Sequence, residues 1–334
     1  LNYLKNKRDS KVDKNKKLVN FNPVELKFCK KCVIPENFDG IHFDEHGVCN
    51  YCREYEGYKQ HVDNYFKTKD DLLKVIEDAR KNKKSDYDCL LLYSGGKDSS
   101  YVLDQLVKMN LKVLAFTYDN GHVSQRAFEN IKKNTSKLGV DSIIVDSQNI
   151  NKVLVESLRT EHNVCNGCFK GVNTIGTKVA HDYGINMVFS GLSRGQIFEI
   201  KLHGLFKLGI YDEMSIEEKL KIFRKEYHSM NNKTSRLLNV PIPDEAIENI
   251  NFVDYFRYDD IKVRDILTHL IEIDKNWIRP ADTGSSSSNC MINDVGIYVH
   301  IKDKGYHFYS AQLGWDVRLG VISREEGVEE ITDF

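Results

Sequence analysis

The amino-acid sequence predicts an α/β protein built on a doubly wound parallel sheet. Four short apolar runs, DCLLLYS, KVLAFTY, DSIIVDS and INMVFSG, alternate with helical segments between residues 85 and 210. Continuous apolar runs separated by helices are typical of parallel strands that are buried on both faces. A Gly-Gly pair follows the first run and precedes a helical stretch, which is typical of a tight turn from a strand into a helix.

The helices are predicted from apolar residues at spacings of three and four. One helix precedes the first strand and carries Leu72, Val75 and Ile76, and another follows the second strand and ends at Gly139. A third helix is predicted after the third strand, through residues 153–158. Beyond residue 210 the segments EEKLKIFRKEY and VRDILTHLIEI predict a mostly helical C-terminal region, and the serine run at 285–288 predicts a loop.

Length and composition limit the class of the protein. Its 334 residues exceed the usual size of one domain, so we expect about two domains, or one core with an appendage. Hydrophobic residues make up 41% and charged residues 29%, which is the composition of a globular protein and not of a disordered one. No apolar run is long enough for a membrane span, and no apolar segment follows the basic N-terminus. We therefore expect a cytoplasmic protein without a secretory signal.

The balance of charges bears on the partners. Lys and Arg together number 48 and Asp and Glu 49, which leaves a net charge of −1. Proteins that bind nucleic acid usually carry a basic excess, so a nucleic-acid partner is not expected. The first 20 residues are polar and rich in lysine, and we predict a solvated tail there.

The segment SGGKDSS, residues 94–100, carries the strongest signal for chemistry; it is called the phosphate loop below. Gly95 and Gly96 allow a tight turn with open backbone N–H groups, and the N-terminus of the next helix adds partial positive charge. The loop therefore predicts a phosphate or pyrophosphate site. The hydroxyl groups that can donate to phosphate oxygens belong to Ser94, Ser99 and Ser100.

Two charged residues complete the phosphate loop. Lys97 offers a positive charge, and Asp98 can cap the helix or hold Mg²⁺. Lys97 and Asp98 are therefore the candidate catalytic residues. The spacing differs from a Walker A loop. S-G-G-x-D-S instead resembles the PP-loop of the N-type ATP pyrophosphatases, which implies that ATP is cleaved between its α and β phosphates and that a carbonyl oxygen is adenylylated.

Further contacts to ATP are expected at the ends of other strands, because open α/β sheets bind ligands at their carboxyl edge. Thr117 ends the second strand and is predicted to approach the nucleoside. Gly191 and Arg194 belong to the segment SGLSRGQIFE after the fourth strand and are predicted to contact ATP.

Six of the eight cysteines form three C-x-x-C pairs. The first two pairs have the spacing C-x₂-C-x₁₆-C-x₂-C, which can bring four thiolates around Zn²⁺. His42 and His46 lie between the pairs and are predicted to be surface residues, because four cysteines already fill the coordination shell. The segment is short and polar, so metal binding is expected to supply much of its folding free energy. The predicted zinc ligands are Cys29, Cys32, Cys49 and Cys52.

Cys165 and Cys168 form the third pair, and two thiolates alone do not close a metal site. Cys290 can be a third ligand that the fold brings in, which leaves one coordination position open, as suits a catalytic metal, a second Zn²⁺ or an iron–sulfur cluster. A redox dithiol or two structural cysteines are the alternatives. The Asn-Gly pair at 166–167 is expected to form a tight turn that lets both sulfurs face one point.

No cysteine stands in the sequence environment of a glutaminase nucleophile, so any ammonia is expected to come from a partner or from solution. The motifs divide the chain into four parts. We predict a polar tail over 1–20, a zinc-binding segment over 21–65, an ATP-binding α/β domain over 66–210 and a C-terminal region over 211–334 that completes the substrate site.

Four separated motifs together resemble the N-acetyl sugar amidotransferase family. They are FCKKCVIPENFDGIHFDEHGVCNYC, LLLYSGGKDSSYVL, CNGCFKG and RPADTGSSSSNC, and the resemblance runs from about residue 28 to the C-terminus. It implies ATP-dependent conversion of an acetamido group on a nucleotide-activated sugar into an acetamidino group, in the synthesis of lipopolysaccharide O-antigen or flagellin sugars. It also implies a glutaminase/cyclase pair, similar to that of histidine biosynthesis, that supplies ammonia.

Two other functions compete with this interpretation. Some PP-loop tRNA thiolases combine zinc knuckles with an iron–sulfur site made of C-x-x-C and a distant cysteine, and the pattern here is similar. The neutral net charge counts against tRNA as a substrate. An adaptor without catalysis is disfavoured because the phosphate loop is intact.

Overall fold

Five parallel strands form one sheet in the computed structural model, which describes residues 26–273, 275 and 277–333. The order across the sheet is β3-β2-β1-β4-β5. The predicted tail at 1–20 and the first residues of the predicted zinc-binding segment lie outside the described residues. The strands are β1 Cys89–Leu92, β2 Val113–Asp119, β3 Asp141–Asp146, β4 Met187–Ser190 and β5 Asn251–Asp254.

Strand β1 lies at the centre of the sheet. Its Leu90 pairs with Leu114 of β2 on one side and with Val188 of β4 on the other. The chain therefore builds the sheet outward from β1 to β3 and then returns to add β4 and β5 on the opposite side. Such a reversal of strand order opens a crevice between β1 and β4 at the carboxyl edge, where α/β sheets bind ligands.

Helices cover both faces of the sheet, as the continuous apolar strands predict. Leu91 and Phe189 belong to one buried cluster, while their neighbours Leu90 and Val188 belong to another on the opposite face. The helices before β4 are α1 Asn50–Tyr65, α2 Lys69–Lys81, α3 Lys97–Lys108, α4 Gln125–Leu138, α5 Ile150–Glu161 and α6 Cys165–Asp182.

The remaining helices follow β4. One π-helical turn, Phe198–Leu202, joins the first two of them, and another, His269–Ile273, extends the helix Val263–Thr268 at its C-terminal end. None of the helices in the described part of the chain is both long and apolar enough to cross a membrane. These helices are α7 Arg194–Ile197, α8 His203–Lys207, α9 Glu213–His228, α10 Lys233–Leu238, α11 Asp244–Asn249, α12 Val263–Thr268, α13 Asn293–Lys304, α14 Ser310–Arg318 and α15 Arg324–Thr332.

The predicted fold class is confirmed, with one addition. The four predicted strands and a mostly helical C-terminal region are present, and α4 ends as predicted at Gly139, whose φ is +64°. Strand β5 was not predicted, and it comes from beyond residue 210. The predicted domain boundary at residue 210 therefore divides the sheet and does not enclose it.

The C-terminal helices pack against the cysteine-rich N-terminal segment. A Cβ on Gly314 of α14 would lie 3.0 Å from the Ile34 side chain, and one on Gly327 of α15 would lie 2.9 Å from that of Val33. The ends of the described chain thus form one layer beside the sheet, and this layer contains the four-cysteine group.

Candidate active site

The phosphate loop connects β1 to α3 at the carboxyl edge of the sheet. Gly95 has φ +74°, and a Cβ there would lie 2.6 Å from the Ala127 carbonyl oxygen. A Cβ on Gly96 would lie 2.8 Å from the Ser288 hydroxyl oxygen. Both positions therefore require glycine, as the tight turn predicts. Gly96 is also the N-cap of α3 and has no side chain to cap it. The Lys97 amide donates to Ser288, so the Asp98 and Ser99 amides of the first turn remain for an anion.

The hydroxyl groups of the loop are held close together. Ser94 Oγ lies 3.1 Å from Ser99 Oγ and accepts from the Gly96 amide at 3.3 Å. Ser100 Oγ lies 3.3 Å from the Tyr93 hydroxyl, which is buried beneath the loop. Ser94 and Ser99 therefore share a position beside the helix N-terminus, whereas Ser100 is directed into the core.

Lys97 and Asp98 form an ion pair of 2.9 Å between Nζ and Oδ2. Burial acts to lower the pKa of Lys97, but the charge and hydrogen bond of Asp98 outweigh it, so its pKa lies above the ordinary value. Lys97 therefore stays protonated at neutral pH. Glu330 of α15 and Asp316 of α14 add to this effect, so the C-terminal helices contribute to the electrostatics of the loop.

A segment near the C-terminus covers the phosphate loop. Trp277 Nε1 donates to the Gly95 carbonyl at 2.9 Å, and the Lys97 amide donates to Ser288 Oγ at 3.0 Å. The segment continues past the end of β2, where Ser124 N donates to the Asn289 carbonyl at 2.9 Å. Sequence reasoning missed Trp277 and Ser288 as site residues. Ser288 stood in a predicted loop, and no motif contains Trp277.

The three further residues predicted to contact ATP have different positions. A Cβ on Gly191 would lie 3.3 Å from the Ser99 amide nitrogen, so Gly191 allows the segment after β4 to approach the phosphate loop. Thr117 is buried and its hydroxyl donates to the Tyr93 carbonyl at 2.7 Å, so this hydroxyl fixes β2 to the strand beside it and is not free for a nucleoside.

Arg194 is directed elsewhere. Its Nε donates to the Phe256 carbonyl at 2.9 Å, and its guanidinium lies over the Phe66 ring, 4.7 Å from the centroid. These contacts lie beside β5 and α1. Arg194 and Phe66 line a cavity there, and no residue of the phosphate loop takes part in it. The position of Arg194 at the carboxyl edge agrees with the prediction, but the direction of its side chain does not support contact with ATP.

Cys29, Cys32, Cys49 and Cys52 form one buried group whose sulfurs all lie within 4.8 Å of one another. Cys29 Sγ lies 3.9 Å from Cys52 Sγ, and Cys32 Sγ lies 3.7 Å from Cys49 Sγ. These distances match the edge, about 3.8 Å, of a tetrahedron with metal–sulfur bonds of about 2.3 Å. The group therefore fits a single metal ion. His42 and His46 are exposed, as predicted, and stay outside it.

Arg318 at the end of α14 binds the same sulfurs. Its Nε lies 3.2 Å from Cys52 Sγ, and its Nη2 lies 3.1 Å from Cys32 Sγ and 3.5 Å from Cys49 Sγ. Hydrogen bonds among the four cysteines lower the pKa of the Cys29 thiol and raise that of Cys32. The positive charge of Arg318 acts to lower the pKa of Cys32, which favours the thiolate form that a metal binds. No sequence pattern points to Arg318, because it lies far along the chain from the cysteines.

Cys165, Cys168 and Cys290 meet around two asparagines. Asn120 Nδ2 lies 3.2 Å from Cys168 Sγ and 3.5 Å from Cys290 Sγ, while Asn293 Nδ2 lies 3.2 Å from Cys165 Sγ. Burial raises the pKa of the Cys165 thiol to about 11 and that of Cys168 to about 12. This group, called the cysteine triangle below, is more open than the other, because each of its cysteines is only partly buried.

The backbone at the cysteine triangle differs from the prediction. The Asn-Gly pair at 166–167 is not a separate turn but part of the first turn of α6, which begins at Cys165. Residues three apart on a helix lie on one face, so Cys165 and Cys168 still point together. Gly167 is needed for close packing instead, since a Cβ there would lie 2.8 Å from that of Ser157.

Comparison with known proteins identifies the central domain. Residues 88–193, which contain the phosphate loop, strands β1 to β4 and the C-x-x-C pair of α6, match the family described as "Queuosine biosynthesis protein QueC". This part of the chain is therefore similar to a family of the PP-loop ATP pyrophosphatase superfamily. Enzymes of this superfamily use ATP and form AMP and pyrophosphate. An uncharacterized protein of Methanocaldococcus jannaschii is 21% identical over 293 residues, which are 87% of each chain.

Solved structures are similar to this chain over more than half of its length. One is the U34-tRNA thiolase NcsA from Methanococcus maripaludis with its 4Fe-4S cluster, at 16% identity and a TM-score of 0.40, over 91% of this chain and 89% of that one. The NH3-dependent NAD synthetase from Campylobacter jejuni has 14% identity and a TM-score of 0.30, over 59% of this chain and 98% of that one. The NMN synthetase from Francisella tularensis has 13% identity and a TM-score of 0.32, over 74% of this chain and 95% of that one. At these TM-scores no further argument rests on the likeness.

Proposed function

We propose that this PP-loop protein converts an acetamido group of a nucleotide-activated sugar into an acetamidino group, with ATP and ammonia. The observation that carries the proposal is the cover of the phosphate loop. Ser288 belongs to RPADTGSSSSNC, one of the four motifs that resemble the N-acetyl sugar amidotransferases, and its hydroxyl accepts from the Lys97 amide at 3.0 Å. Two motifs that are far apart in the sequence thus share one site at the carboxyl edge.

The residues of the loop fit adenylylation of an amide. The amide oxygen attacks the α-phosphorus of ATP and pyrophosphate leaves, which gives an imidate with AMP as its leaving group. Ammonia then attacks the imidate carbon, AMP departs and the amidine forms with loss of a proton. First-turn amides of α3, the hydroxyl groups of Ser94 and Ser99, and protonated Lys97 would bind the departing pyrophosphate.

Metals enter the proposal at two places. Asp98, in the first turn of α3, is the carboxylate that would hold Mg²⁺, which supplies positive charge for the pyrophosphate. The four-cysteine group would hold Zn²⁺ in a structural site without an open coordination position. No step of the reaction depends on that zinc. Ammonia would come from a partner glutaminase/cyclase pair, because no cysteine of this chain stands in a glutaminase motif.

The cysteine triangle favours a second candidate, a tRNA thiolase. Asn120 brings the sulfur of distant Cys290 beside that of Cys168. The four-cysteine group is the one set of possible ligands within 4.8 Å among the described residues, so the triangle spaces its sulfurs more widely. Wider spacing suits an iron–sulfur cluster better than a single ion, and three cysteine ligands leave one iron open.

One experiment separates the two candidates. The pure chain is incubated with ATP, ammonium and either UDP- or CMP-linked acetamido sugars, and the products are read by mass spectrometry. We expect the mass change for replacement of a carbonyl oxygen by an NH group, with AMP and pyrophosphate, and no turnover with glutamine alone. The same chain, prepared anaerobically, is given tRNA, ATP and sulfide. Sulfur transfer to tRNA without any change in the sugars would replace the first function by the second.

A further inference from the structure

A cavity lined by several cations opens at the carboxyl edge of the sheet, and no residue of the phosphate loop lines it. It has a volume of about 470 Å³, which is within the range of small-molecule sites. Arg194 follows β4, and the segment 258–260 follows β5, so the cavity lies at the ends of these two strands. Helices α1 and α2 and the turn between them form the opposite wall.

Cations from separate elements line this cavity. They are Lys59 of α1, Lys67 and Lys69 at the turn into α2, Arg194 after β4 and Arg318 of α14. The acidic residues of the lining are Asp63, Asp259 and Asp260, so the lining has five cations and three carboxylates. Two of the cations also have partners outside the lining, since Lys67 pairs with Glu213 at 3.3 Å and Arg318 donates to cysteine sulfurs.

Two of the three acidic residues, Asp63 and Asp259, are already engaged by other groups. Asp259 is almost fully buried, and its Oδ2 accepts from the Tyr101 hydroxyl at 3.1 Å and from the Tyr255 hydroxyl at 3.0 Å. Lys69 also contacts this oxygen, at 2.9 Å. Asp63 pairs with Lys59 at 2.6 Å. The ion pairs of Asp63 and Asp259 are therefore with lysines and not with Arg194. The charges of Asp260 and Asp259 act on the Arg194 guanidinium from a longer distance, and burial outweighs their effect on its pKa.

Arg194 has a different environment. Its guanidinium has a hydrogen bond to a backbone carbonyl and a contact with the Phe66 ring, and neither partner carries a charge. Burial lowers its pKa from the ordinary value, which shows that the charge is partly removed from water. A guanidinium in this state binds a phosphate or carboxylate strongly, because its planar donors match such an anion.

We propose that this cavity binds the diphosphate of the nucleotide that activates the sugar, with Arg194 as its main ligand and Lys67 and Lys69 at its rim. This rests on the proposed function. The segment 190–194 joins the two sites, because Gly191 lies against Ser99 of the phosphate loop while Arg194 reaches the cavity. A substrate held by its diphosphate in the cavity could extend its sugar toward the ATP that the loop binds.

The test measures binding of UDP to the full chain by titration calorimetry, with the phosphate loop saturated by α,β-methylene-ATP. We expect UDP to bind, CMP to bind more weakly because it has one phosphate, and Arg194→Gln to weaken UDP binding at least about tenfold, the scale of one charge-assisted hydrogen bond. Arg126→Gln, on α4 and paired with Glu129, is the matched control and should bind UDP normally. Displacement of UDP by the ATP analogue, or equal affinity for UDP and CMP, would overturn the proposal.

Steady-state kinetics separate this proposal from the proposed function. Arg194→Gln should raise the KM for the sugar nucleotide at least about tenfold and leave the KM for ATP unchanged. If amidine forms but the KM for the sugar nucleotide does not change, the cavity proposal fails alone. If UDP binds through Arg194 but no acetamido sugar is modified, the proposed function fails alone. Should Arg194→Gln not fold, the double variant Lys67→Gln/Lys69→Gln takes its place with the same expected direction.

Discussion

The two cysteine groups of this chain differ in how completely the protein encloses their sulfurs. The four sulfurs from Cys29 to Cys52 are buried and lie within 4.8 Å of one another, and three of them accept hydrogen bonds from Arg318. The three sulfurs of the cysteine triangle are partly buried and contact amide groups and a phenol more closely than they contact one another.

From this difference we propose a structural role for the four-cysteine group and a chemical role for the cysteine triangle. A closed tetrahedron of thiolates has no position for a substrate, and metal binding there contributes to folding. Apart from the cysteines, the buried cluster of this segment includes only Ile34, so the segment has little core of its own. The cysteine triangle lies instead beside the end of β2 at the ligand-binding edge, where three ligands leave room for a fourth.

The largest expected effect is loss of folding when one cysteine of the four-cysteine group is replaced. Cys49→Ser should give insoluble or unfolded protein, because metal binding to such segments contributes on the order of 10 kcal/mol that the small cluster cannot replace. Zinc content by mass spectrometry and thermal unfolding by circular dichroism check this. Cys168→Ser is the matched control and should remain folded. A soluble, stable Cys49→Ser protein without zinc would show that the segment folds on its own core.

Substitutions in the phosphate loop should lower the rate of turnover and leave stability unchanged. Ser94→Ala and Asp98→Ala should each lower turnover at least about 10²-fold, the scale of losing one electrostatic contact to the transition state. AMP formation is followed by chromatography, with Ser136→Ala on α4 as a control distant from the loop. Normal turnover in both variants would remove the loop from the mechanism, and ADP formed in step with product would contradict the PP-loop chemistry.

The cysteine triangle should behave as one unit. Serine in place of Cys165, Cys168 or Cys290 should remove the same metal and lower turnover alike, because ligands of one site act together. Stability should change little, since the hydroxyl of each new serine can accept a hydrogen bond from the asparagine that contacts the cysteine it replaces. Anaerobic purification with iron, zinc and sulfide analysis gives the readout, and Cys89→Ala in β1 should keep the metal. Three active variants with unchanged metal content would show that the cysteines share no site.

The fold was predictable where the signal is local. The runs of β1, β2 and β4 are buried almost throughout, so their apolar residues are continuous in the sequence. Strand β5 has only four residues, Asn251–Asp254, and begins with an exposed asparagine, so neither its length nor its composition marks it as a strand. Its place beside β4 results from tertiary packing, which local patterns do not encode.

The site was predictable only in part, for the same reason. Gly95, Gly96 and Ser94 follow from a motif of seven residues, whereas Trp277 reaches Gly95 from 182 residues away. The direction of Arg194 depends on Phe66 and Phe256, which belong to other elements. Sequence position placed Arg194 at the correct edge of the sheet, but only its neighbours determine which cavity it faces.

Helix α14 connects the two cysteine groups. The Tyr309 hydroxyl, just before the helix, lies 3.5 Å from Cys165 Sγ, and Arg318 at its end binds Cys32, Cys49 and Cys52. Arg318→Lys should weaken zinc binding about 10- to 100-fold, because a single ammonium cannot replace the fork of donors to three sulfurs. Competition with a chromophoric chelator measures this, with Arg126→Lys as the control. Equal zinc affinity in both variants would show that Arg318 only packs on Trp315.

The smallest effect is expected in the middle of this helix, at Asp316. Its carboxylate accepts from the Gly195 amide at 2.6 Å and from the Ser193 hydroxyl at 2.8 Å, and so holds the segment after β4. Burial raises the pKa of Asp316 to about 7 in the folded protein. The unfolded chain releases this proton at lower pH than the folded chain does, so the contribution of Asp316 to the free energy of unfolding falls as pH rises from about 4 to about 7 and then stays constant.

The variant Asp316→Asn keeps an acceptor for the Gly195 amide and cannot titrate. The variant should therefore gain stability relative to the parent chain between about pH 5 and pH 8 in urea unfolding, whereas exposed Glu329→Gln should follow the parent. If the difference between Asp316→Asn and the parent is the same at both pH values, Asp316 is already ionised in the folded protein at about pH 5, and the helix holds the segment with a charged carboxylate.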